Sequence, residues 1–146
     1  MVDNNIYGKL AKRFSAEGSQ SFVKILEAMF TPEEAKLALE LPATAGQLAG
    51  KLDMDENILH ARLEGMVKRG LILWGKEGYV THKNITSFHH AALGLVPQDI
   101  RVKIYPLWKG FFYADWRRIL VANWEERLKT RGYPSHKVVP ARKALE

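Results

Sequence analysis

The residues equipped for acid–base or metal chemistry are five histidines, His60, His82, His89, His90 and His136, and two adjacent pairs, Glu33–Glu34 and Glu125–Glu126. Their spacing argues against both uses. Zinc ligands recur as HExxH or as closely paired Cys/His, and neither pattern occurs. Neighbours on a helix point about 100° apart, so His89 and His90 do not share an ion and each glutamate pair diverges from any one substrate. The chain has no cysteine, which removes disulfides, thiolate metal sites and cysteine nucleophiles. No serine sits in a GxSxG elbow, and "GKEG" lacks the spacing of a phosphate loop. No enzymatic activity is expected, and no catalytic, cofactor or metal residue is assigned.

What remains is the chemistry of charge and aromatic surface. "DMDENILHARLEGMVKRGLI", residues 53–72, has the length and apolar stripe of a groove-reading helix. Wound at 3.6 residues per turn, it sets Asn57, His60, Ala61, Glu64 and Lys68 opposite the stripe, with Arg62 and Arg69 nearer its edge. In a helix-turn-helix complex such a face approaches base edges while flanking cations neutralise phosphates. Here the leading end carries Asp53, Asp55 and Glu56, and the following turn offers Lys76 beside Glu77. An anionic tip opposes binding to a polyanion. If DNA is bound at all, Asn57, His60, Lys68 and Lys76 are the contact residues.

The net charge of +6 lies elsewhere. Residues 1–100 hold 11 Lys/Arg against 12 Asp/Glu, a balance of −1, whereas residues 101–146 hold 11 against 4, a balance of +7. That basic part is also rich in aromatics. Trp108, Phe112, Trp116, Leu120, Trp124 and Leu128 recur every fourth residue. Each such step drifts about 40° around a helix, so one straight surface helix does not bury the whole row. Either the helix breaks near Gly110 or Ala114–Asp115, or other apolar surfaces wrap it. Trp108, Phe112, Trp116 and Trp124 are therefore assigned to packing on the rest of the chain or to a dimer surface. Aromatic and basic residues interleave as in single-strand binders, but rings committed to a core leave no stacking platform.

The elements that would position these groups follow from start and stop signals. Apolar residues at 6, 7, 10 and 14 predict a first helix, and Ser19 caps a second over 20–30, with Phe22, Val23, Leu26, Met29 and Phe30 inward. Thr31 with Pro32 and two glutamates starts a third, which Pro42 stops. Thr44 and Gln47 have capping-box spacing for a short helix with Leu48 and Leu52 buried. Asp55 caps the helix to residue 69, whose apolar face is Ile58, Leu59, Leu63, Met66 and Val67, and Gly70 closes it. "LILWGKEGYVTH" reads as two strands about the turn Gly75 to Gly78. A short helix is expected in "NITSFHHAALGLV", then a helical arm with Pro106 at its start and Gly132 past its end. The tail "YPSHKVVPARKALE" has no helical period.

The fold class is thus mainly α: a winged helix-turn-helix with one short β-hairpin over residues 1–100, an aromatic-rich C-terminal helical arm over 101–132, and an extended tail or linker over 133–146. No apolar run is long enough for a membrane span and "MVDNNIYGKL" lacks a signal-peptide core, so no membrane partner is expected and the default location is cytoplasmic. The closing Leu145–Glu146 matches a tag junction, and the natural chain is expected to continue past Leu145.

"TAGQLAGKLDMDENILHARLEGMVKRGLILWGKEGYV" resembles the generic winged-helix pattern shared by many regulators. With "LWKGFFYADWRRILVANWEERLKTRG" and "HKVVPARKAL", the fuller run resembles the N-terminal region of ferredoxin-type proteins of anaerobes, in which a winged-helix module precedes a domain binding two [4Fe-4S] clusters. The resemblance implies clusters in a downstream domain, with none held here, and carries no functional residue over to a numbered position. The expectation is a non-catalytic protein-interaction module whose partner is its own redox domain, another protein or a second copy. The alternative is a DNA-binding transcriptional regulator acting as a winged-helix dimer.

Overall fold

The computed structural model describes residues 5–131, backbone alone for 127, 128, 130 and 131. The tail expected at 133–146, with His136, lies outside the described residues, as does the side chain of Leu128. Helices α1 (Ile6–Arg13), α2 (Gln20–Met29), α3 (Pro32–Leu39), α4 (Ala45–Leu52) and α5 (Glu56–Lys68) lead into strands β1 (Leu73–Gly75) and β2 (Gly78–Val80). Helices α6 (Ile85–Leu95), α7 (Gln98–Phe111) and α8 (Arg117–Arg131) follow, with a π-turn at Phe112–Trp116 between the last two. The chain is mainly helical with one small two-stranded antiparallel sheet.

Helix starts are fixed by local chemistry. The Ser19 hydroxyl accepts from Phe22 N–H, the Asp55 carboxylate from Ile58 N–H and the Asn84 amide oxygen from Ser87 N–H, at 3.1, 3.0 and 2.8 Å. Thr31 with Glu34, and Thr44 with Gln47, form reciprocal capping boxes. At the end of α5, Gly70 takes a φ of +73°. Leu71 N–H then reaches Met66 O and Gly70 N–H reaches Val67 O, a Schellman closure.

The core forms where α7 lies along α2. Phe22 of α2 meets Phe111 at 5.2 Å, Trp108 at 6.0 Å and Phe88 of α6 at 6.3 Å between ring centroids, while Phe14 meets Phe88 at 4.9 Å. Trp108, Phe111 and Ile104 are buried. Burying a ring system the size of Trp108 removes about 150–250 Å² from water, worth up to about 4–6 kcal/mol.

Several expectations require correction. The last helical region does not begin at Pro106: α7 starts at Gln98 and carries Pro106 inside it. Proline removes one bond, to the carbonyl of Val102, and both residues lie on the exposed side, where water replaces it. Leu52 and Ile58, expected inside, are 37% and 57% exposed, while Leu48 of α4 and Leu59 and Leu63 of α5 are buried. Arg62 is exposed and not at a packing edge. The interruption expected near Ala114–Asp115 takes the form of the π-turn at Phe112–Trp116. The π-turn spaces its bonds i to i+5, turns each residue through a smaller angle, and so draws the drifting row back. The row still leaves the core gradually: Trp108 is buried, Phe112 and Trp116 half-buried, Leu120 and Trp124 exposed.

Candidate docking surface

The antiparallel pair aligns Leu73 with Val80, Trp74 with Tyr79 and Gly75 with Gly78. Ala43, just before α4, adds a bridge to Tyr79, with N–H to O distances of 3.1 and 2.9 Å in the two directions. Gly78 is required there. Its φ is +121°, and a Cβ would stand 2.6 Å from the Ala43 carbonyl oxygen. The hairpin is thereby pinned to the start of α4.

Pinning aims the Tyr79 ring at α5. Its hydroxyl donates to Glu64 Oε1 at 2.8 Å and lies 3.0 Å from His60 Nδ1. A phenol has one hydrogen, so with Glu64 taking it, His60 Nδ1–H is the donor in the second bond. Burial, and secondly Glu64, push the Tyr79 phenol up to about 12. Two groups of the α5 face opposite its apolar stripe, His60 and Glu64, are thus engaged with the chain's own hairpin, although His60 stays exposed.

Asn57, Lys68 and Lys76, the other nucleic-acid candidates, are exposed. So are Asp53, Asp55 and Glu56 at the leading end. The Glu56 carboxylate rests against Gly46 in the first turn of α4, where a Cβ would come within 3.2 Å of Oε1, so negative charge collects over two helix starts. Two cations of this part of the chain are already paired: Lys51 with Glu40, and Arg69, at the far end of α5, with the buried Glu34. Beside this charge stand exposed apolar groups. Ile58 is 57% and Trp74 63% exposed, with the Trp74 ring held at 4.4 Å from Tyr79.

The aromatic candidates are distributed differently. Trp108 is in the core, and Phe112 and Trp116 pack against it 5.7 Å apart. Trp124, with Trp116, Leu120, Phe14, Ile85 and His90, lines an open cleft of about 760 Å³ between the end of α1, the start of α6 and α8.

His82 and His89 serve packing. His82 is buried between Ser87 Oγ at 2.9 Å and Gly70 O at 2.8 Å, and burial holds its pKa below the usual value. His89, set between Trp108 and Phe112, is lowered by burial and then by His90. Among the described residues no three His, Asp or Glu group to hold a metal ion, and no helix is long and apolar enough to cross a membrane.

Sequence reasoning did not find Tyr79. Its only signal was a tyrosine within an expected short strand, whose hydroxyl needs a polar partner once the ring is buried. No protein-family model, curated protein or solved structure matches the chain.

Proposed function

We propose that this chain is a non-catalytic winged-helix docking module, placed ahead of a ferredoxin-type [4Fe-4S] domain and presenting the α5–hairpin face to protein. The order α3, bridge, α4, α5, β1, β2 supports the winged-helix reading. The observation that carries the docking reading is the Tyr79 clasp on His60 and Glu64, which commits two of the five groove-side residues of α5 to its own hairpin. What faces outward is anionic at the tip and apolar at Ile58 and Trp74. Duplex affinity rests on cations that release counterions from phosphate, and protein docking rests on desolvated aromatic and aliphatic anchors. The exposed groups match the second requirement. Any cluster lies on residues outside this sequence, since the 146 residues contain no cysteine.

A salt-titrated binding assay with duplex DNA tests the reading. The expected outcome is no binding tighter than the roughly micromolar non-specific range at physiological salt. Sub-micromolar affinity, lost on Lys68→Ala or Lys76→Ala, establishes the regulator instead. The redox context is tested by the coding sequence after Leu145, where two CxxCxxCxxxC runs are expected.

A further inference from the structure

Helix α8 has apolar residues on more than one side. Leu120 and Trp124 turn toward the cleft against α6. Tyr113, Ala114, Val121 and Ala122 line a separate shallow groove together with Arg117, Arg118 and Glu125. Tyr113 is 83% and Val121 49% exposed. Most of α8 is polar, so Tyr113, Val121 and Ala122 stand out as apolar groups on this side, and among the described residues nothing covers them.

The charges on that side say what does. At 100° per residue, Ala114, Val121 and Glu125 form one stripe with Arg118 on its flank on the same side as Glu125. Arg118 lies three residues before Val121, and Glu125 lies three after Ala122. A second α8 laid antiparallel, with the two-fold axis between Val121 and Ala122, sets Arg118 of each copy opposite Glu125 of the other. Both ion pairs form at once, as an isologous interface requires. A purely acidic or purely basic partner would satisfy one end of the groove and repel the other. Arg118 is also pre-positioned, donating to Asp115 at 3.0 Å while its side chain stays 60% exposed.

We infer that the Tyr113–Glu125 face of α8 is the self-association surface, and that its occupant is α8 of a second copy of this chain. This inference is independent of the docking reading for α5, since it uses another face and another readout.

Sedimentation equilibrium of the full chain and its charge-swap variants tests it. The wild type is expected to be a dimer at tens of micromolar. Arg118→Glu alone and Glu125→Arg alone should each weaken association by at least about tenfold, since each turns two attractions into repulsions. An equimolar mixture of the two should recover a dimer of mixed composition, because Arg118 then faces Glu125 in one pair and the two swapped residues face each other in the second. Arg118→Glu also places a carboxylate beside Asp115 and lowers the stability of the fold, so Val121→Arg provides a second disruption at the crossing point; it should be monomeric with unchanged helical circular dichroism. A monomeric wild type, or a Val121→Arg variant that remains dimeric, overturns the inference.

Discussion

The Asp115 carboxylate accepts a hydrogen bond from the Ser19 hydroxyl at 2.6 Å, joining residues 96 apart in sequence. The same oxygen, Oδ2, accepts from Ser21 Oγ at 2.6 Å. The π-turn therefore delivers a carboxylate to the start of α2, where the helix dipole favours negative charge. The two serine bonds, Ser19 first, hold Asp115 below the usual carboxylate value of 3.8.

Asp115→Ala should therefore cost about 1–3 kcal/mol, the range for a charged acceptor of two hydroxyls, read as a lower urea midpoint at pH 7. A folded-state pKa below the unfolded one stabilises fully above the unfolded value and is lost as pH falls from about 3.8 through the folded pKa. Asp115→Asn should flatten that acid limb. An unchanged acid limb would mean that the carboxylate is not held by the serines in solution.

His82 acts at higher pH. Its folded pKa lies below 6.5 because burial disfavours the cation. The unfolded chain then binds the extra proton, so stability is full above about 6.5 and falls as pH drops through the window beneath it. His82→Gln should reduce the slope of unfolding free energy between pH 5 and 7. The matching NMR titration should place the His82 ring below the usual histidine value, and a normal midpoint would count against its burial.

The tryptophans should separate by position. Trp108→Ala should cost about 3–5 kcal/mol, a large share of a typical domain stability of about 5–15 kcal/mol. Trp74→Ala, at a site 63% exposed, should cost within about 0.5 kcal/mol. Equal melting-temperature losses would contradict the placement of α7 in the core.

Two ion pairs offer a further contrast. Arg69 faces Glu34, which is buried and also caps Thr31 N–H; Lys51 faces Glu40 in the open, its side chain 63% exposed. Arg69→Ala leaves a buried carboxylate without its cation and should cost about 1–3 kcal/mol, whereas Lys51→Ala should cost about 0–1 kcal/mol. Denaturant titrations of the two variants decide it.

What was legible in the sequence was what acts within one turn. Ser19, Thr31, Thr44 and Asp55 each satisfy an N–H three residues on, so type and spacing suffice to place four helix starts. The hairpin was legible from its two glycines. The start of α7 was not, because Pro106 is a start signal locally and its tolerance inside a helix depends on facing water. Ile58 fits the apolar period of α5, yet whether that side meets a neighbour is decided by how α4 docks. Asp115 with Ser19, and Tyr79 with His60 and Glu64, are invisible to any local pattern, since the partners come from distant elements. The engagement of His60 and Glu64 by the hairpin was therefore not legible from the sequence of α5 alone.

The contact of Gly78 with Ala43 has a mechanical consequence. A hairpin free at its tip would be a flexible finger, able to bend into a minor groove or trail across a partner. This one is riveted at its second strand to the residue before α4, and Tyr79 ties the same strand to α5. Load applied at Trp74 passes straight into both helices, so whatever seats there meets a stiff bracket already set at its working angle, and little ordering entropy is left to lose on contact.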